Sequence, residues 1–185
     1  MKEEYLNSVI KQFEYYKSLG ERTMEQLEEK ELFWQYNEAS NSIAIIVNHL
    51  WGNMKSRWTD FLTSDGEKEW RQRDLEFEDV IKTRDQLMER WEDGWQCLFD
   101  ALDTINEENF HTEVYIRNQA HSIVAAVNRQ LAHYAYHIGQ LVYVGRMMKG
   151  GDWKSLTIAK GKSADFNTEK FSRGKHGGHF TDDIK

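Results

Sequence analysis

Apolar residues recur at three- and four-residue intervals along most of this chain, the repeat of helices with one buried face. The first such stretch runs over about residues 3–29, with Tyr5, Val9, Phe13, Tyr16 and Leu19 in step and Gly20 as a local weak point. A second opens where Ser40 or Asn41 can cap it and reaches about Leu62, ahead of the turn-forming Thr63-Ser64-Asp65-Gly66. The third covers about Val80 to Ile105, with Leu87, Trp91, Trp95, Leu98 and Leu102 as its stripe, and the fourth runs from about Gln119 to Gly150-Gly151. At 1.5 Å per residue each would be about 33–45 Å long. Strand patterning is nearly missing: only Glu113-Val114-Tyr115-Ile116-Arg117 alternates, as an extended connector or a short strand. The pattern predicts an all-α fold, a four-helix bundle over residues 1–159. The link Thr63–Asp79, rich in Glu, Arg and Lys, is long enough to cross such a bundle. Residues 160–185 lose the periodicity and read as a polar tail, surface-lying or disordered, with Phe166, Phe171 and Phe180 as anchors.

Composition sharpens this picture in three ways. A chain of 185 residues can bury a core that folds without disulfides or a structural metal, so any metal it holds serves chemistry rather than folding. Its 7 Trp, 8 Tyr and 9 Phe predict a core built on rings, and the lack of proline suits long helices. The single cysteine, Cys97, rules out an internal disulfide and a paired-cysteine metal site, and fits a reducing compartment. The N-terminus is charged and amphipathic, unlike a signal peptide, and no stretch approaches the roughly 20 apolar residues of a membrane helix, so a cytoplasmic location is expected. A net charge of -7 argues against a nucleic-acid partner, which draws on clustered positive charge.

The candidate chemistry lies in the histidines. His133 and His137 stand four apart in the fourth helix, one turn from each other on one face, where two imidazoles can converge on one cation. Tyr134 occupies the place where a zincin carries its Glu, so metallopeptidase chemistry has no support. One Glu-x-x-His spacing, Glu108 to His111, falls short of the two that a ferritin-like di-iron site needs. The third candidate is His49, which shares its helix face with Ser42, Ile45, Asn53 and Asp60, at the edge of the apolar arc of Ile43, Val47, Leu50, Met54, Trp58 and Phe61. Small polar neighbours mark a pocket; a plain core histidine would be ringed by large apolar ones. Asn53, Ser42 or a backbone carbonyl is the expected hydrogen-bond partner of a ligating His49. Arg129, one turn from His133, is either an anchor for an anionic group of a substrate or half of an ordinary salt bridge. Tyr134 and Tyr136 are candidate acids or packing residues. Cys97, His111 and His121 are the places to look for a fourth ligand, and His176 and His179 in the tail could hold metal only adventitiously. The far side of the fourth helix, with Val124, Leu131, Ala135 and Val142, is also apolar, which fits a homodimer interface or internal packing.

One histidine in the second helix followed by His-x-x-x-His in the fourth resembles the DinB/YfiT-like superfamily of metalloenzymes. The chain looks most like a branch of unknown function, through Asn48-His49-Leu50, through Arg129-Gln130-Leu131-Ala132-His133-Tyr134-Ala135-Tyr136-His137-Ile138-Gly139-Gln140, and through Lys160-Gly161-Lys162-Ser163-Ala164-Asp165-Phe166-Asn167. The resemblance covers about residues 3–167. It implies a four-helix bundle, often dimeric, in which His49, His133 and His137 hold zinc, nickel or a similar divalent ion with a position left open for water or a thiolate. It further implies an enzyme acting on a small molecule, such as a thiol-dependent transferase using a low-molecular-weight thiol, or a hydrolase. Arg129 and Asn53 are then the expected substrate-binding residues. The competing expectations are a non-catalytic metal- or ligand-binding stress-response protein and a purely structural bundle.

Overall fold

The computed structural model describes residues 2–183 and is mostly helical. Its helices are α1 (Lys2–Met24), α2 (Glu29–Leu32), α3 (Ile43–Trp58), α4 (Arg84–Asp103), α5 (Ile123–Lys149) and α6 (Ser163–Ser172). Strands β1 (Glu113–Ile116) and β2 (Gln119–Ser122) form one antiparallel hairpin between α4 and α5. The all-α expectation therefore holds in its broad sense, with a two-stranded element that the periodicity half concealed. The expected segments over 1–159 and 160–185 include Met1, Ile184 and Lys185, which lie outside the described residues.

The four long helices share one core. α3 packs on α4 and α5, and α1 packs on α5 and α4. Each contributes one ring to the centre: Phe13, Trp58, Trp95 and Tyr134, all buried, with centroids 5.9 to 6.4 Å apart and mostly edge to face. That arrangement brings the positive edge of one ring to the negative face of the next. The rings expected from composition thus tie all four helices together at a single point.

Local chemistry sets the helix ends. Ser42, rather than Ser40 or Asn41, caps α3 by accepting the Ile45 N–H at 3.1 Å. Thr83 and Ser122 do the same for α4 and α5, and Gly150, with φ of 52°, ends α5. The expected start of the fourth helix near Gln119 is corrected to Ile123, because residues 119–122 pair with β1 instead. The tight turn between the strands is Arg117-Asn118, both left-handed, with φ of 56° and 59°. Such a turn usually carries glycine. Here the Asp65 carboxylate holds it from outside, accepting the N–H groups of Arg117 at 2.8 Å and Asn118 at 2.7 Å.

Two stretches outside the four long helices complete the fold. The connector after α3 lies back along that helix and makes a short 3-10 turn at Arg73–Phe77 against it. The C-terminal segment, expected to be a polar tail that lies on the surface or is disordered, forms the exposed helix α6. It then docks on α1 through Phe180 against Tyr15, His179 against Ser8, and Asp182 paired with Lys11 at 2.7 Å.

Candidate metal centre

Helices α3 and α5 bring His49, His133 and His137 together, close enough to hold one metal ion, as their sequence pattern predicts. His49 and His137 are buried and His133 is half-buried. The Nε2 atom of His133 lies 3.4 Å from Nε2 of His49 and 3.1 Å from Nε2 of His137. Two bonds of about 2.0–2.1 Å at a tetrahedral angle would place ligand nitrogens roughly 3.3–3.4 Å apart, so the spacing suits a single small cation. Two of the three outer nitrogens are held as ligands require, while His133 Nδ1 is buried without a hydrogen-bond partner. His49 Nδ1 donates to Glu76 Oε2 at 2.8 Å, and His137 Nδ1 donates to Gln140 Oε1 at 2.9 Å. With the proton on Nδ1, each ring presents the Nε2 lone pair to the centre. Burial, then the neighbouring imidazoles, depress His133 to about 3, and the same two causes depress His137 to about 4. Both rings are therefore neutral at pH 7, the form that binds a cation.

Glu76 is the residue the sequence concealed. The expected partners of His49 were Asn53, Ser42 or a carbonyl. Ser42 instead caps α3, and Asn53 Oδ1 accepts from the Tyr134 hydroxyl at 3.0 Å. Glu76 comes from the charged connector, 27 residues away in sequence, and is 6% exposed. It reaches His49 across Gly52, where a Cβ would stand only 2.5 to 2.9 Å from three Glu76 side-chain atoms. Asn48, next to His49, donates to the Glu76 carbonyl at 2.9 Å and fixes that turn to α3. Arg71 grips the Glu76 carboxylate with Nε at 2.7 Å and Nη2 at 2.9 Å. Burial pushes Glu76 up, but His49 and Arg71 outweigh it and hold the carboxyl below its ordinary range. Phe77 stacks on the His49 ring at 4.7 Å. The only sequence signal for this shell was the density of Glu and Arg in a connector too long for a turn.

A cleft of about 180 Å³ opens onto the centre, lined by His49, His133, Asn53, Gln130 and the arginines 57, 71, 73, 117 and 129. Arg129 is one of these lining residues. It is exposed, and its one contact of note is with His121 at 3.3 Å, so the ordinary salt bridge does not form among the described residues. Tyr134 is fully buried, and its hydroxyl bridges Trp58 and Asn53; burial drives its pKa up, and it packs rather than acts as an acid. Tyr136 is exposed and lies on the outer side of α5. Among the described residues none of Cys97, His111, His121, His176 or His179 joins the cluster. Cys97 sits instead in a groove of about 470 Å³ between α3 and α4, where burial pushes its thiol up.

A mostly helical protein with three clustered histidines, open to an arginine-lined cleft, is the class that fold and site define. The chain belongs to a family described as a protein of unknown function (DUF1572), whose model matches residues 1–162. No curated protein and no solved structure matches the chain. The match stops just before α6, so the three histidines and their shell lie within the matched residues, while α6 and the docked C-terminal turn lie beyond them.

Proposed function

We propose that this chain is a metal-dependent enzyme of the DinB-like superfamily, holding one divalent ion, zinc or nickel, on His49, His133 and His137. The observation that carries the reading is the convergence of bare Nε2 lone pairs while Glu76 and Gln140 pin the outer nitrogens of two rings. A buried histidine with only a structural role needs one hydrogen-bond partner, whereas three rings turned toward a common point form the donor set of a metal site. Four long helices around one core fit the four-helix bundle of that superfamily.

When bound, such an ion would supply the positive charge that lowers the pKa of a water or thiol near it. The remaining work falls to the chain. Glu76 orients His49 and Gln140 orients His137, Phe77 covers one face of His49, and the cleft admits a small molecule from the side of His133. Arg129 and Asn53 line that approach as substrate-binding residues, and three protein ligands leave room for a thiol-dependent transfer. The non-catalytic alternative would be favoured by a fourth protein ligand, and none joins the cluster among the described residues.

The test is elemental analysis of untagged protein purified without chelator, beside a His133→Ala/His137→Ala variant. About one equivalent of metal per chain, absent from the variant, is expected. Native protein that stays metal-free after incubation with zinc, nickel, manganese and iron, and gains no stability from them, would end the metalloenzyme reading. A screen of low-molecular-weight thiols with electrophiles then addresses the reaction.

A further inference from the structure

The chain carries a net charge of -7, yet five of the nine residues lining the cleft are arginines and none is a carboxylate. Three acids stand behind this wall. Glu67 pairs with Arg57, Arg71 and Arg117 at 3.1 to 3.3 Å, Glu76 is committed to Arg71 and His49, and Asp65 holds the Arg117 backbone near Arg57. Five positive charges against three negative leave a local surplus of two. Arg73 and Arg129 pair with no carboxylate among the described residues. Arg73 instead lies over the Phe77 ring at 5.5 Å, and Phe77 in turn stacks on His49, so this guanidinium stands one ring away from the centre.

The fold works to assemble this wall. Arg117 arrives on a strained left-handed turn clamped by Asp65, Arg71 and Arg73 on the connector, Arg57 on α3 and Arg129 on α5. Arg57 is 6% exposed and Gln130 is 4% exposed, and Arg57 Nε and Gln130 Oε1 have no hydrogen-bond partner. A buried polar side chain left partly unpaired beside a cleft lacks the ligand or solvent atom that would complete it. Gathering like charges in a half-buried cleft opposes folding unless an anion is there to receive them.

We propose that this cleft is an oxyanion subsite that holds the dianionic head group of a small-molecule substrate, a phosphoryl group or a pair of carboxylates, on Arg57, Arg73, Arg117 and Arg129. Guanidinium forks match both groups in two-pronged geometry. A space of about 180 Å³ is large enough to admit such a head group. Gln130 Oε1 is placed to accept from a hydroxyl of the same ligand. The subsite deepens the metalloenzyme reading, since it would hold the substrate's reacting end at the histidines, but its anion binding stands without a metal.

Isothermal titration calorimetry on the full chain, at about 0.1 M chloride to screen non-specific attraction, tests it with inorganic phosphate and with succinate as probes. Metal-free and metal-loaded protein are both titrated, with Arg73→Ala, Arg129→Ala and Arg146→Ala as variants. Expected is one saturable site for at least one probe in both forms, weakened about tenfold or more by Arg73→Ala and by Arg129→Ala. Arg146→Ala, at the exposed end of α5, should keep it. The tighter probe assigns the head group. No saturable binding of either probe, or an affinity indifferent to Arg73 and Arg129, overturns the subsite. Metal bound with neither anion bound sinks the subsite alone, and anion bound with no metal ever bound sinks the metalloenzyme reading alone.

Discussion

Glu76 serves two partners with one carboxylate, His49 on one oxygen and the Arg71 fork on both. A buried acid in that position is stable only while both are present, since burial by itself disfavours its charge. Glu76→Gln should therefore lower metal affinity by about 10- to 100-fold, measured by competition with a chromophoric chelator. An unchanged affinity would show that the His49 ring needs no orienting partner. Gly52→Ala reaches the same end indirectly: the added methyl group would occupy the space of the Glu76 side chain, and the same titration should show a weakened site with all three histidines in place. Tyr134 provides the contrast. Tyr134→Phe strands Asn53 Oδ1 and removes the acceptor of Trp58 Nε1, both in buried surroundings. It should destabilise the fold by about 1–3 kcal/mol in denaturant unfolding while leaving metal content unchanged.

Among the elements, the hairpin puts only Val114 and Ile116 into the core, and its turn is held by Asp65. Its carboxylate accepts the N–H groups of Glu67, Arg117 and Asn118, all at 2.7 to 2.8 Å. Burial is the largest single influence and raises its pKa, but the three N–H donors and the Arg57 charge together outweigh it and hold the carboxyl below the ordinary 3.8. A group with a depressed folded pKa stabilises fully above its unfolded value and loses that contribution as pH falls through the folded one. The clamp should thus be intact above about pH 4 and released in stronger acid. Because the carboxylate is largely solvated, its worth is only about 1 kcal/mol. Asp65→Asn should lower Tm at neutral pH by about 2–4 °C and flatten the acid limb of the stability curve below pH 4. A variant whose acid limb matches the native one would place that titration elsewhere.

Taken whole, the molecule separates its charges: a net charge of -7 on the chain and a cleft at the histidines lined by five arginines and no carboxylate, the distribution on which the proposed anion subsite rests. The apolar far side of α5, expected to form a homodimer interface or to pack internally, is half-buried at Val124, Leu131, Ala135 and Val142, with Leu131 and Val142 packed against the core. Tyr136, Tyr143 and Met147 are the large apolar residues α5 leaves exposed, and we propose a homodimer through them. Light scattering should return twice the 22.0 kDa chain mass, and Tyr136→Glu/Tyr143→Glu should return one chain; a native monomer at high concentration would remove the dimer. Much of this protein was legible from one dimension. Helical periodicity, the His-x-x-x-His spacing and the small polar face around His49 are local properties, repeated every turn, so the long helices and the three histidines could be read without knowing how the chain closes. The hairpin was half legible, because its turn is Arg117-Asn118 rather than a glycine pair and its stability comes from Asp65, 52 residues earlier. Glu76 at His49, Gly52 yielding space to it, and five arginines from four separate parts of the chain around one cleft were settled only by tertiary structure. Each depends on which loop lies over which helix, and that is decided by packing of the whole core rather than by any pattern along the sequence.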